Sequence, residues 1–192
     1  MIIKKIIDLC KKSCICKIYK TRQGQFISNG SGFYPITGLP VFDEDTFCLT
    51  YDIPKGKIHF SEEGRLPEHI DVADITDEEK VCSLLSINLA YHSKVLIPVV
   101  TETGIKFIDS RYLAPLSDND NMLSIFERES DLGGTYFVLK NGMLFGGIVM
   151  PFEVVTVEFV AEVQRLAELC KVALDNKRSI GISGQESIFD KE

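Results

Sequence analysis

Apolar residues recur along the chain with two different periods, and the switches between them outline the elements. Ile2, Ile3, Ile6, Ile7 and Cys10 fall on one stripe at helical spacing, with Lys4, Lys5, Asp8, Lys11 and Lys12 opposite. That pattern predicts an amphipathic helix over 2–12. Residues 15–19 and 25–34 read as strands, with Asn29-Gly30 as a tight turn. The Pro, Gly and acidic content of 35–45 marks a loop. Strands are expected at 46–51 and 57–60 around Pro54 and Gly56, and a polar connector over 61–80. A short helix is expected after Thr76, where Glu79 completes a capping box.

Strands follow at 84–91, 94–100 and 105–108, then a short helix from Asp109 or Ser110 that stops by Ser117 because of Pro115. Residues 122–128 read as a strand. Residues 135–150 read as a hairpin turning at Asn141-Gly142, both of which tolerate positive φ. Val160, Val163, Leu166, Ala167, Cys170 and Leu174 repeat at helical spacing and predict a helix over 156–177. Residues 178–192, rich in Ser and Gly, are expected to form a flexible tail.

The order helix–strand–hairpin occurs twice, with the two Asn-Gly pairs at corresponding places, and a long helix is appended. The expectation is a single α+β domain over 1–177, with strands and helices segregated into layers. Two related halves, about 1–80 and 81–155, would build it, followed by the helix 156–177.

Composition narrows the class. The chain has 192 residues, 45% hydrophobic and 26% charged, enough for a sizeable core. A net charge of −7 argues against a surface that is basic throughout, though not against one basic face. No apolar run approaches the length of a membrane span, and the Lys4-Lys5 interruption is unlike a secretion signal, so a cytoplasmic location is expected and no membrane partner. Cys10-x3-Cys14-x-Cys16 is dense, but no second ligand pair accompanies it, and His59, His69 and His92 are scattered. The expectation is reduced thiols and no metal or cofactor.

The twofold order of helix, strand and hairpin resembles the repeating unit of the DNA sliding clamps. Phe107-Ile108-Asp109-Ser110-Arg111-Tyr112-Leu113-Ala114-Pro115-Leu116 looks like the helix-opening segment of a bacterial clamp's last domain. Phe145-Gly146-Gly147-Ile148-Val149-Met150-Pro151 is similar to that domain's closing strand. The chain also resembles small uncharacterised proteins of prophages and mobile elements in Gram-positive bacteria, through Gly38-Leu39-Pro40, Tyr51-Asp52-Ile53-Pro54 and Arg111–Leu116. A bacterial clamp protomer has three domains where this chain has length for about one, no strand precedes the first helix, and the long last helix has no counterpart in the clamp unit. The clamp resemblance implies that Lys4, Lys5, Lys11 and Lys12 face DNA phosphates, by sequence-independent and salt-sensitive contacts. The alternative is the solvated side of an ordinary amphipathic helix.

Gln185-Glu186-Ser187-Ile188-Phe189 resembles the peptide with which bacterial replication and repair proteins dock on the sliding clamp. Gln185, Ser187, Ile188 and Phe189 stand at the motif's recognition positions, and Glu186 replaces the usual Leu. Such a peptide buries an aliphatic–aromatic pair in a preformed pocket. A tail that packs on its own core is the competing reading.

No G-x-S-x-G, H-E-x-x-H or P-loop is present, so no enzyme is expected. Asp118, Asp120, Glu127 and Glu129 are a candidate cation cluster, weighed against a solvated acidic loop. Cys14 or Cys16 with His92 is a candidate nucleophile pair. The reading is a non-enzymatic accessory or interaction protein of a mobile element that docks on the host clamp. The alternatives are a ligand- or metal-binding domain or enzyme with its site in the acidic loops, and a structural homo-oligomer joined through the last helix by Phe159, Val163 and Leu166.

Overall fold

A computed structural model describes residues 3–54, 56–77, 79–116 and 123–179. The chain forms two compact units, Met1–Glu153 and Val154–Glu192. The first is a mixed α and β unit. Its elements are α1 (Ile3–Ser13), β1 (Ile15–Thr21), β2 (Gly24–Ser28), β3 (Gly32–Ile36), α2 (Glu44–Thr50), β4 (His59–Glu63), β5 (Lys80–Leu84), β6 (Leu89–Tyr91), β7 (Lys94–Thr101), β8 (Gly104–Asp109), a 3-10 turn (Ser110–Tyr112), β9 (Leu123–Glu129), β10 (Thr135–Asn141) and β11 (Leu144–Val149). The second unit contains α3 (Val157–Ser179).

Eleven strands form one sheet in the order β4-β1-β2-β3-β11-β10-β9-β5-β7-β6, with β8 against β7. Two antiparallel meanders, β1-β2-β3 and β11-β10-β9, therefore meet at β3 and β11. The outer edges differ: β4 joins β1 in parallel, whereas β5 joins β9 antiparallel. The helical segments that precede the meanders differ too, an eleven-residue α-helix before β1 and 3-10 turns before β9.

The seam between the meanders is short. Phe33 pairs with Ile148 and Gly32 with Val149, and Met150 N–H donates to the Ser31 carbonyl at 2.8 Å. Side chains complete it. The buried Tyr34 ring lies so close to Gly32 and Gly147 that a Cβ at either would come within 2.9 Å or less of it. The Tyr34 hydroxyl donates to the Tyr112 carbonyl at 2.7 Å. The Asn29 amide nitrogen donates to the Leu9 carbonyl at 3.4 Å and the Tyr112 hydroxyl at 3.3 Å, tying α1 to the 3-10 segment.

Alternation along the strands gives the sheet two apolar faces. On one, Ile6, Ile7, Leu9 and Cys10 of α1 and Phe47 and Cys48 of α2 bury Ile18, Ile27, Tyr34 and Ile36. On the same face, Leu113 and Leu116 cover Ile125, Phe137, Leu139 and Val149. On the other, Leu66, Ile70 and Val72 of the 64–79 connector cover Tyr19, Phe26, Phe33, Tyr136, Val138 and Ile148.

Four local expectations need correction. Residues 46–51 are not a strand, because they belong to α2. The Asp43 carboxylate accepts from Thr46 N–H at 2.7 Å, an N-cap, and Glu44 and Asp45 suit the positive end of the helix dipole. The helix ends with Ile53 N–H on the Cys48 carbonyl and Asp52 at φ 50°, the geometry of a Schellman stop. Helical spacing then buries Phe47 and Cys48 and leaves Leu49 in solvent. Among the described residues no helix follows Thr76, and the chain enters β5 at Lys80. Of the strand expected at 84–91, only Leu84, at the end of β5, and Leu89–Tyr91, in β6, are extended in the sheet. The short helix expected from Asp109 or Ser110 does form, as 3-10 turns capped by the Asp109 carboxylate on Arg111 N–H at 3.1 Å. The last hairpin turns at Gly142-Met143, with Asn141 paired to Leu144. A bulge at Gly146 shifts the register by one, and Gly142 alone of the turn carries positive φ, at 64°.

Gly147→Ala places a methyl group against the Tyr34 ring and the Phe33 carbonyl, at 2.7 and 2.9 Å. Urea unfolding of this variant is expected to show a loss of about 1–3 kcal/mol, the usual scale of overpacking in a tight core.

Candidate functional site

The connector-covered face holds a buried cluster of charges. Arg128 and Lys140 stand on β9 and β10, and Glu79 leads into β5, all three almost fully buried. Arg128 makes a 2.6 Å ion pair with Glu79 and donates to the carbonyls of Asp71 at 3.1 Å and Ala73 at 2.9 Å. Lys140 bonds the other Glu79 oxygen and lies 4.2 Å over the Phe126 ring. Burial pushes the Glu79 carboxyl up, but hydrogen bonds and charge from Lys140 and Arg128 outweigh it, and the net shift is downward. The Tyr136 hydroxyl accepts from Asp71 N–H at 3.1 Å, and Asp74 accepts from Phe145 N–H at 2.6 Å. Each charge in the cluster is engaged, so its chemistry is to hold the connector down.

Beside it the connector walls a trough. One part, about 440 Å³, is lined by Tyr19, Glu63, Arg65, Pro67, His69 and Asp131. The next, about 350 Å³, shares Tyr19, Pro67 and His69 and adds Lys17, Ser31 and Met150. Burial, then the charge of Glu63, raises the Tyr19 hydroxyl above its usual range, so it stays a neutral donor near pH 7.

The candidates from the sequence fall elsewhere. Lys4, Lys11 and Lys12 are exposed on α1 and Lys5 is half-buried. Lys11 Nζ donates to the Tyr51 carbonyl at 3.0 Å, at the C-terminus of α2. Gln185, Ser187, Ile188 and Phe189 lie outside the described residues, as do Asp118 and Asp120. The described acids of the proposed cation cluster face lysines: Glu127 is buried 2.5 Å from Lys106, and Glu129 lies 3.5 Å from Lys80. Among the described residues no group of three or more His, Cys, Asp and Glu side chains is placed to share a cation.

Cys14 and Cys16 part company. Cys16 is buried with Cys10 and Cys48, and hydrogen bonding to Cys10, then burial, drives its thiol far above the usual range. Cys14 is exposed, in the left-handed conformation (φ 55°) that ends α1, and its thiol donates to the Lys11 carbonyl. His92 sits in the β6–β7 turn against Tyr91, so the suggested Cys–His pair is not assembled. In the Gly30-Ser31-Gly32 loop, the amides of Ser31 and Gly32 are taken by the Asn29 side chain at 3.2 and 2.9 Å.

Sequence patterning misses both the charge cluster and the trough. Glu79 reads there as part of a helix cap, and the trough depends on a connector fold that no periodicity encodes. The available signal is Lys140 at the end of the apolar run Tyr136–Leu139, since a buried cation demands a buried partner. No helix of the described chain is long and apolar enough to cross a membrane. No family model, no curated protein and no solved structure matches the chain.

Glu79→Gln leaves two cations buried without their counter-charge and is expected to cost about 3–5 kcal/mol in urea unfolding at pH 7. The wild-type pH profile carries a matching sign. Because the folded carboxyl titrates below its ordinary 4.5, the stability Glu79 contributes is complete above that pH and fades as pH falls below it. The variant should lose that part of the acid limb.

Proposed function

We propose that the protein is a non-enzymatic accessory factor in the DNA transactions of a mobile element, built on a clamp-like unit. The observation that carries this reading is the pairing of two meanders across β3 and β11, with α1 and the 3-10 segment on one face of the sheet. That arrangement leaves Lys4 and Lys12 exposed on the outer side of α1, as a surface that touches phosphates requires. In this reading Lys4, Lys5, Lys11 and Lys12 contribute a weak, sequence-independent contact to duplex DNA. The 185–189 segment supplies the specific partner, with Gln185, Ser187, Ile188 and Phe189 docking on the host's sliding clamp.

The pairing of Glu127 and Glu129 with lysines weighs against the acidic-loop ligand site as the alternative. The fully engaged Glu79 cluster supports a structural role for the buried charges rather than a catalytic one.

Fluorescence anisotropy with a short labelled duplex at low salt is expected to show binding that weakens linearly on a log–log salt plot. Lys4→Glu with Lys12→Glu should weaken it at least tenfold and reduce the slope by about 2, close to one for each phosphate no longer neutralised. No binding at low salt, or binding that the double variant leaves unchanged, sinks the DNA part of the proposal.

Calorimetric titration against the sliding clamp of a Gram-positive host is expected to give micromolar binding that disappears when the chain ends at Gly184. Equal binding with and without the segment contradicts the docking role.

A further inference from the structure

The proposed function makes no use of the trough between connector and sheet. Part of its floor is a row of residues on four neighbouring strands: Lys17 pairs with Ser28, Ser28 with Phe33, and Phe33 with Ile148. Neighbouring strands lie about 4.8 Å apart, so the row spans roughly 14 Å, the length of about four extended residues. It runs across the strands, from β1 over the β3–β11 seam. The charges along the trough are sorted. Its first part carries the carboxylates of Glu63, Glu68 and Asp131 against the guanidinium of Arg65. Its second part carries the ammonium of Lys17 and, among the described residues, no carboxylate. Ser31 and Met150 also line a further hollow of about 100 Å³ that holds Lys94 and Arg111, where the Asp109 carboxylate is buried and paired with Arg111 at 2.5 Å. The side chains of Lys17, Arg65, Glu68 and Asp131 find no hydrogen-bond or ion-pair partner among the described residues, in contrast to the engaged charges around Glu79.

We propose that the trough binds an extended peptide segment of another protein, with basic side chains at the Glu63–Asp131 end and acidic side chains toward Lys17, Lys94 and Arg111. Charge complementarity selects the occupant. A uniformly basic segment meets Lys17 and then Lys94 and Arg111, whereas a uniformly acidic one, or a nucleic acid, meets Glu63, Glu68 and Asp131. Only a segment of opposite charge at its two ends is attracted along the whole length. Phe33, Ile148 and Met150 of the second part take the apolar side chains in between. Glu63, Arg65, Glu68 and Asp131 stand exposed on the rim, so the trough suits a chain passing through it rather than a compact ligand that must be enclosed. Hydroxyls of Tyr19, Ser28 and Ser31 line it as partners for a peptide backbone. The Ser28 oxygen accepts from Gly30 N–H at 3.1 Å and keeps its own hydrogen to donate.

The probe is a labelled hexapeptide with two arginines at one end, two glutamates at the other and two leucines between, made in both chain directions. Fluorescence anisotropy with the full chain is expected to show saturable, sub-millimolar binding of at least one of them. Asp131→Lys at the acidic end should weaken it about tenfold, and so should Ser31→Glu at the basic end. Both positions are exposed in turns, and unchanged urea midpoints would show that both variants remain folded. Peptides charged at one end only should separate the variants, Asp131→Lys weakening the dibasic peptide and Ser31→Glu the diacidic one. No saturable binding in either direction, or binding that either variant leaves unchanged, overturns the proposal. A diacidic peptide that binds as tightly as the two-ended one identifies an anion site and contradicts the peptide assignment. Displacement of the peptide by short duplex DNA would place nucleic acid in the trough and contradict it as well.

Discussion

The fit of Tyr34 between two glycines is the constraint on which the first unit depends. The β3–β11 ladder contributes two residue pairs and one flanking hydrogen bond, little for the joint of an eleven-stranded sheet. Tyr34 enlarges that joint. Its ring fills the space that Gly32 and Gly147 leave open, and its hydroxyl reaches the Tyr112 carbonyl. Burial, reinforced by Tyr112, Cys10 and Asp109, keeps that hydroxyl protonated well above the usual tyrosine range, so it remains a donor. Asn29 performs the companion task with polar atoms, bridging the end of α1 to Tyr112. Together they place both helical segments on one face, and so decide where the lysines of α1 point.

The opposite face is held by different physics. A connector without regular structure has unpaired backbone groups, and burying them requires partners. Arg128 supplies these for Asp71 and Ala73, Tyr136 for Asp71, and the Asp74 side chain anchors the β10–β11 hairpin through Phe145. Glu79 pairs with both buried cations, one through each carboxylate oxygen. Removing it strands them, whereas an apolar replacement of all three would not, which is the asymmetry expected of buried ion pairs. The trough between connector and sheet exists because this network holds its wall.

Much of the layer order is legible in the sequence, because period-2 and period-3.6 patterns translate directly into faces. The stripe of α1, the strands of both meanders and the long last helix follow that rule. The misreadings share a cause: the deciding contact is not periodic. At Asp43–Thr50 aromatic and β-branched residues suggest a strand, while a capping carboxylate and a Schellman stop impose a helix. At Asn141-Gly142 the turn pair taken in isolation points to one turn, while the Gly146 bulge moves the turn one residue on. At Arg128 and Lys140 the charged residues look like strand surface, because Glu79, their partner, lies far away in sequence. Buried polar networks are long-range by construction, and local patterning carries no record of them.

In the proposed function the chain works through surfaces, with the exposed lysines of α1 turned toward DNA on a sheet locked at the Tyr34 seam. Amide hydrogen exchange of the full chain, alone and with excess short duplex at low salt, tests that claim most directly. The account predicts that β3 and β11 exchange slowest in both states and that duplex slows exchange in residues 3–13, leaving the Tyr19–His69 trough unchanged. Protection confined to the trough, or none in α1 under saturating duplex, would contradict it.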